Sequence, residues 1–287
     1  MAKAKTKSSA KKIPAQVQRK ALQTFDNPWV DRLARFGYVV RGVLYVIIGL
    51  LAVQVALGAG GKTTDPKGAI ATVGAEPFGK FLLVLIAAGL AGYSLWGFIR
   101  GFLDPLCKGS DAKGLVQRLG FLVSGVSYGA LVIPTVQSVI GRQSGGGQTG
   151  SPQDLSARLL GEPFGQALVG LLGLFWIGGA IGQFYLAYSK DFEKDFKSRE
   201  MSADEKEWAR RAARFGLAAR GVVFGIVGWF LIQAALNSDP KRAKGLDGAL
   251  QTLVQQPYGP LLLGVVALGL VCFGIYSLLC ARWNRVL

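Results

Sequence analysis

The sequence predicts an all-α integral membrane protein. Six transmembrane helices are expected as three parallel two-helix repeats, in a pseudo-threefold bundle with short interfacial helices on the extracytoplasmic side. Three observations predict this. Apolar residues make up 51% of the 287 and fall in blocks of roughly 20 residues, the length that crosses a ~30 Å hydrocarbon layer at ~1.5 Å per residue. Two short motifs recur three times in step. The basic residues behind a net charge of +16 collect on one side of the blocks.

Residues 1–30 read as a disordered basic arm. The arm has no apolar stretch with a small-residue cleavage site, so it is not a cleavable signal. It is expected to lie on the anionic inner leaflet. The amphipathic approach "NPWVDRLARFG" leads into the first repeat, residues 31–105, with spans Tyr38–Leu57 and Gly79–Ile99. The second repeat, residues 114–190, has spans Leu119–Val139 and Gly165–Tyr188. A charged cytoplasmic linker helix is expected at 191–211. The third repeat follows at 212–287, with spans Gly216–Leu236 and Gly259–Leu279. Each span is apolar around most of its circumference, as a lipid-facing or bundled helix must be.

The first motif is "ARFGYVVRGV", Ala34–Val43, which returns as "ARFGLAARGV", Ala213–Val222. Its middle copy is degenerate: "QRLGFLVSGV", Gln117–Val126, has Ser124 where the others have Arg41 and Arg220. The shared positions are Arg35, Gly37 and Gly42; Arg118, Gly120 and Gly125; and Arg214, Gly216 and Gly221. The second motif is "EPFG", "EPFG" and "QPYG", fixing Pro77 and Gly79, Pro163 and Gly165, and Pro257 and Gly259. From Arg35 to Pro77 is 42 residues, from Arg118 to Pro163 is 45, and from Arg214 to Pro257 is 43. Two spans per repeat bring each copy in from the same side, so the repeats are parallel.

The residue before proline disfavours helix, and proline suits the first turn of the next one. A short surface helix is therefore expected to break at Glu-Pro, with the even span starting there. Phe78, Phe164 and Tyr258 are placed to anchor at the interface. Gly97–Gly101, Gly125–Gly129, Gly178–Gly182 and Gly221–Gly225 are small-xxx-small pairs that predict close helix approach.

On these motifs the chain resembles the bacterial membrane family labelled domain of unknown function 1206, in which a pair of transmembrane helices occurs three times. The resemblance runs from about Asp31 to Arg282. It implies the fold and topology and no activity. Ser124 for arginine and Gln256 for glutamate depart from the pattern, so the three repeats are not expected to be equivalent in function.

Of the 33 Lys and Arg, 23 lie in segments on the side of the two chain ends. The positive-inside rule then predicts a multi-pass protein of the bacterial inner membrane with N- and C-termini cytoplasmic. Topology absorbs the basic excess, so no nucleic-acid partner is expected. There is no histidine, which removes histidine triads and ligands. Cys107, Cys272 and Cys280 form no Cys-x-x-Cys pair. No catalytic residue, metal site or cofactor is expected, and the chain does not read as an enzyme.

Arg41 and Arg220 sit about one turn inside their spans. One reading lets each snorkel towards lipid phosphate. The other turns both inward, so that Arg41, Tyr45, Ser124, Tyr128 and Arg220 form a ring that binds an anion or a lipid headgroup. Glu76 and Glu162 lie on the outer face. They read as flanking the following helix and not as an acid–base pair, since the third repeat has neutral Gln256 there. The expected function is that of a structural or accessory membrane protein. Its expected partners are anionic inner-leaflet lipids, or a cytoplasmic or membrane protein docked on the charged linker. A small-solute or anion transporter or channel is the alternative.

Overall fold

A computed structural model describes residues 28–105, 109, 111–141, 151–189, 196 and 201–284. Residues 1–27 of the basic arm, and 191–195 and 197–200 of the linker, lie outside the described residues, while 203–211 of the linker belong to the helix of the following span. Among the described residues nine α-helices follow in order: α1 Pro28–Ala56, α2 Pro66–Ala75, α3 Gly79–Leu103, α4 Ala112–Val139, α5 Pro152–Leu160, α6 Gly165–Tyr188, α7 Ala203–Leu236, α8 Leu246–Val254 and α9 Gly259–Trp283. Six of them (α1, α3, α4, α6, α7 and α9) are long and apolar enough to cross a membrane. The protein is a multi-pass, all-α membrane protein, and each repeat reads long helix, short helix, long helix.

The odd spans begin well before the apolar blocks. α1 starts at Pro28 and α7 at Ala203, so their amphipathic approaches are continuous with the spans. The start of α7 is fixed by a capping box, in which Ser202 and Glu205 satisfy each other's backbone N–H groups. Asp111 caps α4 through the Gly114 N–H, while Asp65 and Ser151 cap α2 and α5 ahead of Pro66 and Pro152.

The second motif has a different mechanical role from the one its sequence suggests. Pro77, Pro163 and Pro257 do not open the next helix. Each sits second in a tight turn closed by the Gly79, Gly165 or Gly259 N–H, which donates to the carbonyl of Glu76, Glu162 or Gln256 at 2.8, 2.9 and 2.7 Å. A type II turn, which takes proline second, needs positive φ at its third residue. Phe78, Phe164 and Tyr258 supply it at φ of 64, 64 and 60°. The strain, of order 1–3 kcal/mol per residue, holds three aromatic side chains out at 84, 86 and 83% exposure. The carboxylates of Glu76 and Glu162 are exposed and the turn uses only their carbonyls, which is why Gln256 serves equally.

The closest helix pairs join different repeats: α3 with α4, α6 with α7, and α9 with α1. Small residues make these crossings possible. Gly42 on α1 lies against the Gly274 carbonyl, Gly97 on α3 against Gly125, and Gly173 on α6 against the Gly228 carbonyl. Gly178 and Gly182, by contrast, meet nothing within 4 Å. They lie on a side of α6 turned away from its contact with α7, so that pair does not pack as expected.

The outer arginine of the first motif ties the same junctions at their ends. Arg35 pairs with Asp31 at 2.7 Å and donates to the Ala281 and Arg282 carbonyls at the end of α9. Arg118 donates to the Gly101 and Phe102 carbonyls at the end of α3. Both satisfy carbonyls that a helix C-terminus leaves open and place a cation at its negative end. Arg214 is exposed and makes no such bond among the described residues. Arg35→Gln and Arg118→Gln are each expected to lower stability by about 1 kcal/mol, and Arg214→Gln to leave it unchanged. Thermal unfolding in detergent would show the split.

Within repeats the packing is unequal. α1 meets α3 and α7 meets α9, but α4 and α6 make no comparable contact. Gly37 lies against the backbone of Tyr93, and Gly216 against that of Phe273, whereas Gly120 has nothing within 4 Å.

Candidate functional site

The gap between α4 and α6 has a cause in the repeat register. Fourteen residues after the second-motif glycine, the first and third repeats carry Tyr93 and Phe273, and the second carries Gly179. Ten residues after it they carry Gly89 and Gly269, each against a side chain of its own repeat's first helix, and the second carries Phe175. An aromatic is thus missing where the two helices would interlock, and another stands where they would approach closely. The result is a cavity of about 460 Å³ between α4, α6 and α7, within the ~300–1,000 Å³ range of small-molecule sites.

Its walls are mostly apolar, with Leu131, Phe175, Trp176, Val227 and Leu231 among them. The polar lining includes Tyr45, Ser124, Ser127, Tyr128, Gln183 and Arg220, and at the short-helix end Asp65 and Ser151. Four of the five residues expected in an anion ring (Tyr45, Ser124, Tyr128 and Arg220) therefore lie along one cavity.

Arg41 does not line it. Both arginines point inward, contrary to the snorkelling reading, but in different settings. Arg41 is 7% exposed. Its Nε donates to Ser277 Oγ at 2.8 Å, its Nη1 donates to the Tyr93 hydroxyl, and the rings of Tyr38, Tyr93 and Phe273 surround it at 4.9, 4.7 and 5.1 Å. Ser277 Oγ in turn donates to the Tyr38 carbonyl at 2.8 Å. A buried guanidinium is tolerated when its donors meet acceptors and ring faces, and the protein provides both here. Arg41 is a structural group that bolts α1 to α3 and α9.

Arg220 has the rings without the acceptors. Its guanidinium lies over Phe273 at 4.3 Å, Phe224 at 4.8 Å and Tyr45 at 5.3 Å. Its Nε is buried and donates to no described residue. The repeat register explains this. Ser277, which takes the Arg41 Nε, corresponds to Gln183 on α6, and the Tyr93 hydroxyl corresponds to the plain ring of Phe273. The Gln183 Oε1 is also buried without a partner among the described residues. No carboxylate pairs with either arginine among the described residues. A guanidinium with rigid donors and no acceptor, in a low-dielectric cavity, is chemically matched to an anion.

Sequence reading missed Ser277, Tyr93 and Gln183, although superposing the three repeats by their glycines would have put them in columns opposite the arginines. The expected span Gly79–Ile99 also stopped one residue short of Arg100. The helix α3 extends past it, and Arg100 is 7% exposed, donating to the Tyr38 hydroxyl at 2.9 Å, with Phe121 3.8 Å from its guanidinium carbon. No cluster of His, Cys, Asp or Glu suited to a metal occurs among the described residues.

The family described as Domain of Unknown Function (DUF1206) matches three times, over residues 36–104, 119–190 and 215–284. An uncharacterized protein of Bacillus subtilis (strain 168), YxxB, is 36% identical over 252 residues, which cover 88% of this chain and 90% of that relative. No solved structure matches the chain.

Proposed function

The chain belongs to the DUF1206 family, whose description assigns no activity, and we propose from the site itself that it is an accessory protein of the cell membrane that holds an anionic lipid group at Arg220. The single observation that carries this is the buried Arg220 Nε without an acceptor among the described residues, in a cavity whose walls are mostly apolar. Arg41, which shares the Phe273 ring with Arg220, shows what the same chemistry looks like when the protein supplies the acceptor. The excess of basic residues on the side of the chain ends supports cytoplasmic termini in an inner membrane, and hence an inner-leaflet ligand. On this reading Ser124, Tyr128 and Tyr45 are polar neighbours of the bound group. The protein does no chemistry on the lipid and needs no cofactor. The cyclic pairing of helices, with motif glycines at the crossings, supports a pseudo-threefold origin for the bundle.

The test is lipid co-purification. Wild-type protein is expected to retain anionic phospholipid through detergent exchange, read by native mass spectrometry. Arg220→Gln should lose it by about tenfold, as for loss of one charge-assisted bond of ~1.5 kcal/mol. Equal retention by both proteins contradicts the proposal. Anion transport has one observation in its favour, that the cavity runs from Gly120 to the N-caps Asp65 and Ser151. Flux of a small anion into protein-containing vesicles would favour it over lipid holding.

A further inference from the structure

We infer that the second repeat is a lateral portal, through which one acyl chain of an anionic glycerophospholipid enters between α4 and α6 and lies along the cavity, its phosphate on Arg220. The identity of the headgroup site rests on the function proposed above; the portal rests on separate observations.

The first is the missing contact. In the first and third repeats a motif glycine seats the second helix on the first, at Gly37 against Tyr93 and Gly216 against Phe273. In the second repeat Gly120 meets nothing, and the opposite position is Gly179, whose added Cβ would meet only the far Phe224 ring at 3.5 Å. The opening is therefore written into side chains that differ in this repeat alone. The second observation is what faces the bilayer. The α4 and α6 spans are only 17% buried each, against 44–61% for the other four, so the opening lies between the two most lipid-exposed helices. Beyond the polar groups at its two ends the cavity is walled by apolar side chains such as Leu131, Val227 and Leu231, and the hydrocarbon beside it is the abundant filler. The third is length. Arg220 and Leu231, both lining the cavity, are 11 residues apart on α7, roughly 17 Å along a helix axis. That is close to half of a ~30 Å hydrocarbon core, the depth of one leaflet.

The headgroup chemistry can be narrowed. Arg220 offers donors and needs an acceptor; Gln183 Oε1 is an acceptor and needs a donor. A phosphodiester that also carries a hydroxyl or ammonium satisfies both. Phosphatidylglycerol has both features; phosphatidylcholine has the phosphate and no donor.

The experiment uses the full chain in nanodiscs with phosphatidylglycerol carrying a diazirine midway along one acyl chain. After irradiation, labelled residues are mapped by peptide mass spectrometry. Trp176 and Phe224 line the cavity and are half-buried, so a chain lying in the cavity can reach them, whereas lipid on the outer surface of the bundle labels the exposed side chains. Labelling of this pair is expected, and Gly179→Phe, which restores the ring of the other repeats, should reduce it by about tenfold by filling the cavity. If Gly179→Phe fails to fold, Ser127→Trp, at the exposed mouth on α4, is expected to block entry to the same degree. Phosphatidylcholine with the same label should mark the pair several-fold less. Labelling confined to exposed faces, or unchanged by either variant, overturns the portal, even where Arg220→Gln still loses co-purified lipid. Equal labelling by the two phospholipids, or displacement of the label by a free fatty acid, overturns the glycerophospholipid assignment.

Discussion

Alanine at Gly37 or Gly216 is expected to destabilise the protein strongly, and alanine at Gly120 to leave it folded and at least as stable. The three glycines occupy the same place in three copies of one motif, so sequence alone predicts equal effects. The structure predicts a split. A Cβ on Gly37 would come within 2.6 Å of the Tyr93 backbone nitrogen, and one on Gly216 within 2.5 Å of the Phe273 nitrogen and Cα. Backbone on a packed helix cannot retreat as a side-chain tip can. The two helices must separate, at a cost of about 2–3 kcal/mol. A Cβ on Gly120 meets nothing within 4 Å, and alanine favours helix over glycine by about 1 kcal/mol. Thermal unfolding in detergent of the three single variants is sufficient. Three similar losses would mean that α4 and α6 pack as the other repeats do.

The second large effect is expected at the turn glycines, and there all three repeats should respond alike. A Cβ on Gly79, Gly165 or Gly259 would lie 2.2, 2.0 or 1.9 Å from the carbonyl oxygen of Gly74, Leu159 or Val254 at the end of the preceding short helix. Those contacts are far inside van der Waals distance and involve backbone on both sides. The turn is also already strained by an aromatic residue at positive φ. Each alanine variant should lose about 3 kcal/mol or more and fail to accumulate in the membrane. Phe78→Gly, in contrast, relaxes the strained φ and is expected to keep the fold while losing an interfacial anchor. Expression level and unfolding temperature of the four variants distinguish the two roles. A Gly79→Ala variant as stable as wild type would mean the turn is not built as described.

Much of this was legible in the sequence. Block length and the two motifs gave six spans in three parallel units, because hydrophobic length and repeat register are one-dimensional properties. The even spans begin at the turn glycines as expected, since the turn is local. The odd spans were placed too late, because Pro28–Gly37 and Ala203–Phe215 are amphipathic and carry charge, yet continue the helix. The site was half legible. Tyr45, Ser124, Tyr128 and Arg220 were named from i, i+4 spacing, and they do line one cavity. The fates of Arg41 and Arg220 were not separable on that basis. Each depends on what another helix offers: Ser277 takes the Arg41 Nε, while Gln183, at the matching place on α6, makes no hydrogen bond to Arg220, and such positions sit far apart in the chain. Nor did the spacing show that Gly179 and Phe175 open the second repeat, since a glycine and a phenylalanine are both ordinary in an apolar span.

The most direct test is an experimental density map of the full chain purified with native lipid. The account predicts α4 and α6 held apart, with elongated density from the Arg220 guanidinium towards Leu231 and no protein acceptor on Arg220. A map in which α4 and α6 touch through Gly120 and Gly179, with Arg220 hydrogen-bonded to a side chain of the protein, would contradict it.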